Sequence, residues 1–329
     1  MLHLFLISVQ ITNRTPHTQS PANLTMVTGF FLKGFSNTRE IQILHAMLFL
    51  LIYLVALIGN LLIFTIITLD HHLNIPMYFF LKNLSCLDLC LISVTVPKSI
   101  ESSLSRSYSI SFFGCVLQVF LVILFTGSEI ILLTVMSYDR YVAICQPLHY
   151  ETIMNKGFCM KMSTSSWFTG GVFGAMYSVS TFSLPFCGSK QIYQFFCDVP
   201  SLLRISCAET HIAIDASVAI GISLGIFCCI SIAISYSYIF SAVLKIPTTE
   251  GRSKAFSTCL PHLIVLMVFI TTGAMSYLKP PLDPDSILDL LLSTFYSVVT
   301  PTMNPIIYSL RNRDMKRSLR KLITWKVFS

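Results

Sequence analysis

Two acids stand where acids are costly. Asp88 and Glu129 each interrupt a run of apolar residues, and with Asn60 of the Gly59-Asn60 pair they make a candidate polar centre. Carboxylates brought together in a dry interior share a proton or recruit a cation; a lone one survives as a protonated, hydrogen-bonded tie between helices. Asp139-Arg140-Tyr141 is a second constellation. A guanidinium stays charged at any working pH and presents a planar fork of donors, so Arg140 can pair with its neighbour and, once released, reach the backbone carbonyls of a partner protein. In Asn304-Pro305, proline withholds an amide donor and crowds the carbonyl four residues back, which predicts a kink on which Tyr308 rides. Bond-breaking chemistry has no such signature. The histidines (His3, His17, His45, His71, His72, His149, His211, His262) are scattered, and there is no His-Glu-x-x-His pair and no glycine-rich phosphate loop. The residues therefore predict a protein that is not an enzyme.

The elements that must carry these residues are membrane helices. Of 329 residues, 11% are charged and 54% hydrophobic, whereas a soluble domain carries about 25% charged residues and a disordered chain more polarity still. A span needs about 20 apolar residues. Stretches free of Lys, Arg, Asp and Glu run from Ile41 to Leu69, Met162 to Ser189, Ala216 to Leu244, Ala255 to Leu278 and Leu290 to Leu310. Two more, Pro76 to Ser99 with Lys82 and Asp88, and Ser107 to Cys145 with Glu129 in its middle, are apolar but interrupted. Lys82 can snorkel to the headgroups; Asp88 and Glu129 must face the bundle interior. The sum predicts an all-α protein of seven spans, with an outer segment 1–40, a bundle 41–310 and a basic inner tail 311–329.

An odd number of spans puts the two termini on opposite sides. With the carboxyl end cytoplasmic, the inner segments hold 14 of the 22 Lys and Arg against 5 acids, and the outer segments 8 against 8, as the positive-inside rule requires. Sequons at Asn13 and Asn23 then lie outside and are candidate glycosylation sites, while the one at Asn83 falls inside a span and should be silent. Met1 to Gln10 holds only a short apolar run with no basic flank, so the first span is expected to serve as its own signal. Of 11 cysteines, Cys115, Cys187, Cys197 and Cys207 fall outside, enough for two disulfides with three pairings open.

Seven spans and no soluble catalytic domain leave a ligand-gated receptor, a transporter or an intramembrane enzyme. A transporter should show paired halves with matching helix breaks, and no such symmetry is present. The decisive residues are longer motifs: Pro76-Met77-Tyr78-Phe79-Phe80-Leu81 followed by Leu84-Ser85 and Asp88, MSYDRYVAIC from Met136 to Cys145, KAFSTC from Lys254 to Cys259, and Asn304-Pro305-Ile306-Ile307-Tyr308. From about Asn23 to Leu319 the chain resembles the olfactory receptors, which are rhodopsin-like G-protein-coupled receptors. The resemblance implies an extracellular amino terminus, a cytoplasmic carboxyl terminus and a short amphipathic eighth helix. It implies an odorant as ligand, a stimulatory heterotrimeric G protein contacted by Arg140 to raise cyclic AMP, membrane lipid as surroundings, a plasma-membrane location and no nucleic-acid partner. A metabolite- or lipid-sensing receptor expressed elsewhere is the rival within the same class.

The resemblance also assigns roles. Tyr236 and Tyr308 converge on Arg140 in the active form; Cys115 pairs with Cys197 and Cys187 with Cys207; a sodium ion sits at Asn60, Asp88 and Glu129, with no other cofactor. The ligand cavity is expected among the outer halves of the third to seventh helices, where helical spacing places Ile123, Thr126 and Gly127 on one inward face. Tyr177, Ile220, Leu224, Ile270, Ala274, Tyr277 and Thr294 are the matching candidates. No Asp occurs from Ser107 to Ser128, where amine receptors carry their counter-ion, so an uncharged, mostly apolar ligand oriented by hydroxyls such as Thr126 and Tyr277 is expected. Two positions depart from the family pattern: Pro261 stands where serine usually precedes His262, and Ile270 where many members have tyrosine. The segment before Asn23 is longer than the family's usual form, which makes Met26 or an upstream position the expected start.

Overall fold

The computed structural model describes residues 28–33, 38–105, 107–187, 190–208, 210–278, 297–308, 315–318 and 320, without the side chains of Lys254 and 272–278. The long helices are α1 (Arg39–Leu69), α2 (Pro76–Ser105), α3 (Phe112–Cys145), α4 (Lys156–Phe182), α5 (Ile212–Leu244) and α6 (Thr249–Leu278). Residues 297–308, inside the expected seventh span, are helical and are called α7. Local signals set several starts: Ser111 accepts from the Gly114 N–H at 3.1 Å to begin α3, and Asn155 accepts from the Phe158 N–H at 2.9 Å to begin α4.

Among the described residues, α1, α2, α3, α5 and the Thr249–Thr271 part of α6 are long and apolar enough to cross a bilayer. Their surfaces are inverted relative to a soluble protein. On α1, Leu44, Leu51 and Ile58 recur every seventh residue and stay 66%, 60% and 62% exposed, while Asn60 on the opposite side is buried. Exposed apolar faces with polar groups inside suit a hydrocarbon surround and no other solvent.

The 27-residue helix α4 is less apolar for a reason visible in its packing. Ser163, Ser166, Gly170 and Gly174 are buried. A Cβ on Gly174 would stand 2.7 Å from the Phe120 carbonyl oxygen of α3, and one on Gly170 would collide with Ser128 and the Leu124 carbonyl. Small residues four apart let the two backbones approach closely, and the Ser128 hydroxyl then donates to the Ser166 carbonyl at 3.1 Å. Asn83 takes part in the same seam: its side chain accepts from Ser163 at 2.8 Å within the bundle.

At one end the helices are roofed by a three-stranded sheet in the order β2-β1-β3. β1 (Gly29–Leu32) pairs antiparallel with β2 (Ser109–Ser111) and parallel with β3 (Gln191–Ile192). Phe30 is buried there, its ring 5.3 Å from Phe186 in an edge contact, and Phe112 meets Phe182 at 5.3 Å. The disulfides Cys115–Cys197 and Cys187–Cys207 close the same end, with Cα atoms 5.5 and 5.8 Å apart. Of the three pairings that the residues leave open, this is the one formed.

Candidate functional site

The polar centre is assembled from three helices. Asp88 of α2, Glu129 of α3 and Asn304 of α7 are buried, and the Asn304 amide donates to Asp88 Oδ1 and Oδ2 at 3.1 and 2.9 Å and to Glu129 Oε1 at 3.4 Å. One amide group thus serves two carboxylates. Two full negative charges in so dry a setting require an offsetting proton or cation. Asn60 of α1 is tied separately, its amide donating to the carbonyls of Ala56 at 3.0 Å and Pro301 at 2.8 Å. The side-chain oxygens of Asn60 and Asn304 are buried without a hydrogen-bond partner among the described residues. Pro305 adjoins α1 as well: a Cβ on Gly59 would lie 3.0 Å from its ring.

At the inner end of α3, Arg140 Nε donates to Asp139 Oδ2 at 2.9 Å, and its Nη2 reaches the same oxygen. The other oxygen, Oδ1, accepts from the hydroxyl of Tyr150 at 2.8 Å. Tyr150 opens a single helical turn, Tyr150–Ile153, between α3 and α4. Burial first, and then the Asp139 carboxylate beside it, hold the Tyr150 phenol above its ordinary pKa, so it remains a protonated donor. Asp139 is therefore clasped on both oxygens, and Arg140 is buried against it. Tyr141, by contrast, leans toward α5, its ring 5.8 Å from that of Tyr238.

A second clasp lies beside the first. The Tyr236 hydroxyl of α5 is 2.6 Å from His262 Nδ1 of α6, and His262 Nε2 is 3.1 Å from the Leu133 carbonyl of α3. A carbonyl only accepts, so Nε2 carries the hydrogen; in the neutral ring Nδ1 then accepts, and Tyr236 donates to it. Three helices are thereby joined through one imidazole. Tyr308 of α7 is buried nearby in the same core, its hydroxyl without a hydrogen-bond partner among the described residues. In this conformation Tyr236 is held by His262 and Arg140 by Asp139.

The residues singled out for ligand contact have different surroundings. Ile123 and Tyr177 join the outer cluster under the sheet, and the Tyr177 ring passes over Gly221 of α5. Thr126 and Leu224 are half-buried. Gly127 also adjoins α4: a Cβ there would lie 3.6 Å from the Gly170 Cα, an ordinary contact. Ile220 is 51% exposed and Ile270 is 36% exposed, so neither is enclosed by the described residues. The side chains of Ala274 and Tyr277, and all of Thr294, Asn13 and Asn23, lie outside the described residues.

The olfactory receptor family model matches residues 49–326. Human "Olfactory receptor 14A2" is 59% identical over 302 residues, covering 92% of this chain and 96% of its own length. Human "Olfactory receptor 14A16" is 56% identical over 306 residues, 93% of this chain and 99% of its own. Gorilla "Olfactory receptor 1G1" is 45% identical, covering 92% and 96%.

The chain belongs to the olfactory receptor family. It is a seven-transmembrane, odorant-sensing G-protein-coupled receptor, a multi-pass membrane protein and not an enzyme. Within this olfactory receptor three contacts escape the sequence. Tyr150 stands eleven positions past Asp139, beyond the helix that carries it, and no periodicity links the two. His262 is one histidine among scattered ones, and its proximity to Pro261 inside α6 was the only local cue. Gln118 receives the Cys197 N–H at 2.8 Å and donates to the Val94 carbonyl at 2.9 Å, reinforcing the disulfide next to it.

Proposed function

We propose that this receptor binds a small, uncharged, mostly apolar odorant in the outer half of the bundle and activates a stimulatory G protein to raise cyclic AMP at the plasma membrane. The double clasp at the inner face is the observation that carries the reading. Arg140 is parked on Asp139, and the α6 helix is tethered through His262 to α3 and α5. An outward swing of α6 would break the His262 contacts together, release Tyr236 toward Arg140 and present the guanidinium to the G-protein α subunit. Odorant binding need only favour a state already in equilibrium with this one. The ligand's chemistry is inferred from Ile123, Tyr177 and Thr126, apolar and hydroxyl-bearing neighbours with no acid in the outer half of α3.

The same reading takes the amino terminus as extracellular and glycosylated at Asn13 and Asn23, and the basic tail as cytoplasmic, with the helical residues 315–318 belonging to a short eighth helix. Lipid contacts the exposed apolar faces. A sodium ion fits the polar centre: Asp88 and Glu129 supply charge, and the unpartnered oxygens of Asn60 and Asn304 are hard donors of the kind such a cation takes. That ion would supply the positive charge the two carboxylates lack, stabilising the resting arrangement.

The test is a panel of neutral odorants on cells expressing the receptor, read as cyclic AMP. Arg140→Ala should abolish the response while surface expression persists. Undiminished signalling from that variant would overturn the coupling role. Activation by charged amines alone would overturn the ligand class.

A further inference from the structure

Near the end of the chain a serine makes a contact that odorant sensing does not require. Residues 315–318 are helical, Met315 is buried, and the Ser318 hydroxyl donates to Asp70 Oδ2 at 2.6 Å. Asp70 Oδ1 meanwhile accepts from the His72 N–H at 3.1 Å and caps the turn His71–Leu73 between α1 and α2. One carboxylate thus fastens the carboxyl-terminal segment to the first inner loop. The sequence around the hydroxyl is Lys316-Arg317-Ser318-Leu319-Arg320-Lys321, with cations on both sides of the acceptor. Protein kinases with acidic substrate grooves select such a pattern by charge complementarity.

We propose that Ser318 is a phosphorylation site and that its modification releases the carboxyl-terminal segment from the first inner loop. A basophilic kinase with ATP supplies the reaction. A bond forms between Ser318 Oγ and the γ-phosphorus, the bond from that phosphorus to the bridging oxygen breaks, ADP leaves, and the hydroxyl proton passes to the kinase's base. The product has no hydroxyl hydrogen to offer Asp70. It also sets a phosphate of about −1.5 to −2 charge against a carboxylate. Ser318 is only 7% exposed when docked, so three phosphate oxygens do not fit there either. Lost donor, like-charge repulsion and bulk act in one direction. Because the docked hydroxyl is shielded, the kinase must take the segment during its transient undocking, and phosphate then prevents its return.

The inference rests on the cytoplasmic placement of the tail but not on the identity of ligand or G protein. Purified full-length receptor in lipid nanodiscs is treated with protein kinase C and ATP, and the Ser318 peptide is followed by mass spectrometry. Amide exchange is followed at 71–73 and 315–320. Expected are phosphate at Ser318, absent in Ser318→Ala, and exchange about tenfold faster in both segments, the effect of losing a charge-assisted hydrogen bond. Ser318→Asp should speed exchange severalfold without any kinase. Two results would overturn the proposal: no phosphate at Ser318 either in the treated protein or in receptor recovered from phorbol-ester-stimulated cells, or phosphate and aspartate at 318 that both leave exchange unchanged. Odorant-evoked cyclic AMP in the Ser318→Ala receptor separates this outcome from failure of the odorant reading, since that variant should still respond.

Discussion

The two ends of the bundle are fastened by different chemistry. The roof is covalent and aromatic, with two disulfides, a three-stranded sheet and the packed rings of Phe30, Phe112, Phe182 and Phe186. The opposite end, among the described residues, is held by hydrogen bonds and the Arg140–Asp139 ion pair: Arg140 and Tyr150 on Asp139, Tyr236 and Leu133 on His262. Hydrogen bonds that exchange partners cost little to rearrange, because each contributes only about 1 kcal/mol net, whereas a disulfide across a long loop contributes about 4 kcal/mol. The difference teaches where motion is permitted. In the function proposed above, the end that frames the ligand is the rigid one, and the end that opens toward the G protein is made of contacts that can be traded.

Breaking the roof should cost most. The Cys115–Cys197 bridge spans a separation of 82 residues, so Cys197→Ser should cost about 4 kcal/mol and leave little receptor at the cell surface, read by antibody staining. Next comes the inner ion pair. Asp139→Asn leaves Arg140 buried without its counter-charge, at a cost of about 3 kcal/mol to the resting state, and should raise basal cyclic AMP rather than abolish expression. A control between the two ends is Gly174→Ala, which forces α3 and α4 apart at Phe120; it should cost about 2 kcal/mol, seen as lower surface expression with an unchanged ratio of basal to stimulated signal.

Smaller effects sharpen the contrast. Tyr236→Phe removes the hydroxyl that His262 accepts, about 1 kcal/mol or roughly fivefold in the proposed resting equilibrium, and also removes the hydroxyl proposed to reach Arg140 in the active form. Basal signal should rise while the maximal response falls, and parallel changes in both would contradict the dual role. Tyr150 supplies the smallest effect and a pH signature. Its folded pKa is raised, so its contribution is complete below its ordinary value of 10 and is lost only as pH climbs toward the raised value. Basal activity should therefore be flat across neutral pH, and Tyr150→Phe should lift it by about threefold.

How far the chain could be read in advance varies by residue. The apolar runs, the buried carboxylates, the arginine motif at a helix end and the four cysteines that permit two disulfides follow from composition and spacing, because lipid forbids exposed polar backbone and makes every internal charge conspicuous. The approach of Gly127 to Gly170 on α4 could not be read in advance, because helical spacing gives the relative angle between residues, not the rotation of the helix against its neighbours. The strand Gly29–Leu32 gave no warning, since its partners lie about 80 and 160 residues away in sequence and pairing at such range leaves no local trace.

What the sequence alone determined is a membrane bundle and its family, because solvent preference and motif spacing are local properties of the chain. The tertiary structure decided who holds whom: Tyr150 on Asp139, His262 between Tyr236 and Leu133, Asn304 between two acids, Ser318 on Asp70. Such pairings depend on the rotation and depth of each helix, which arise from packing among all of them at once and are encoded in no single segment.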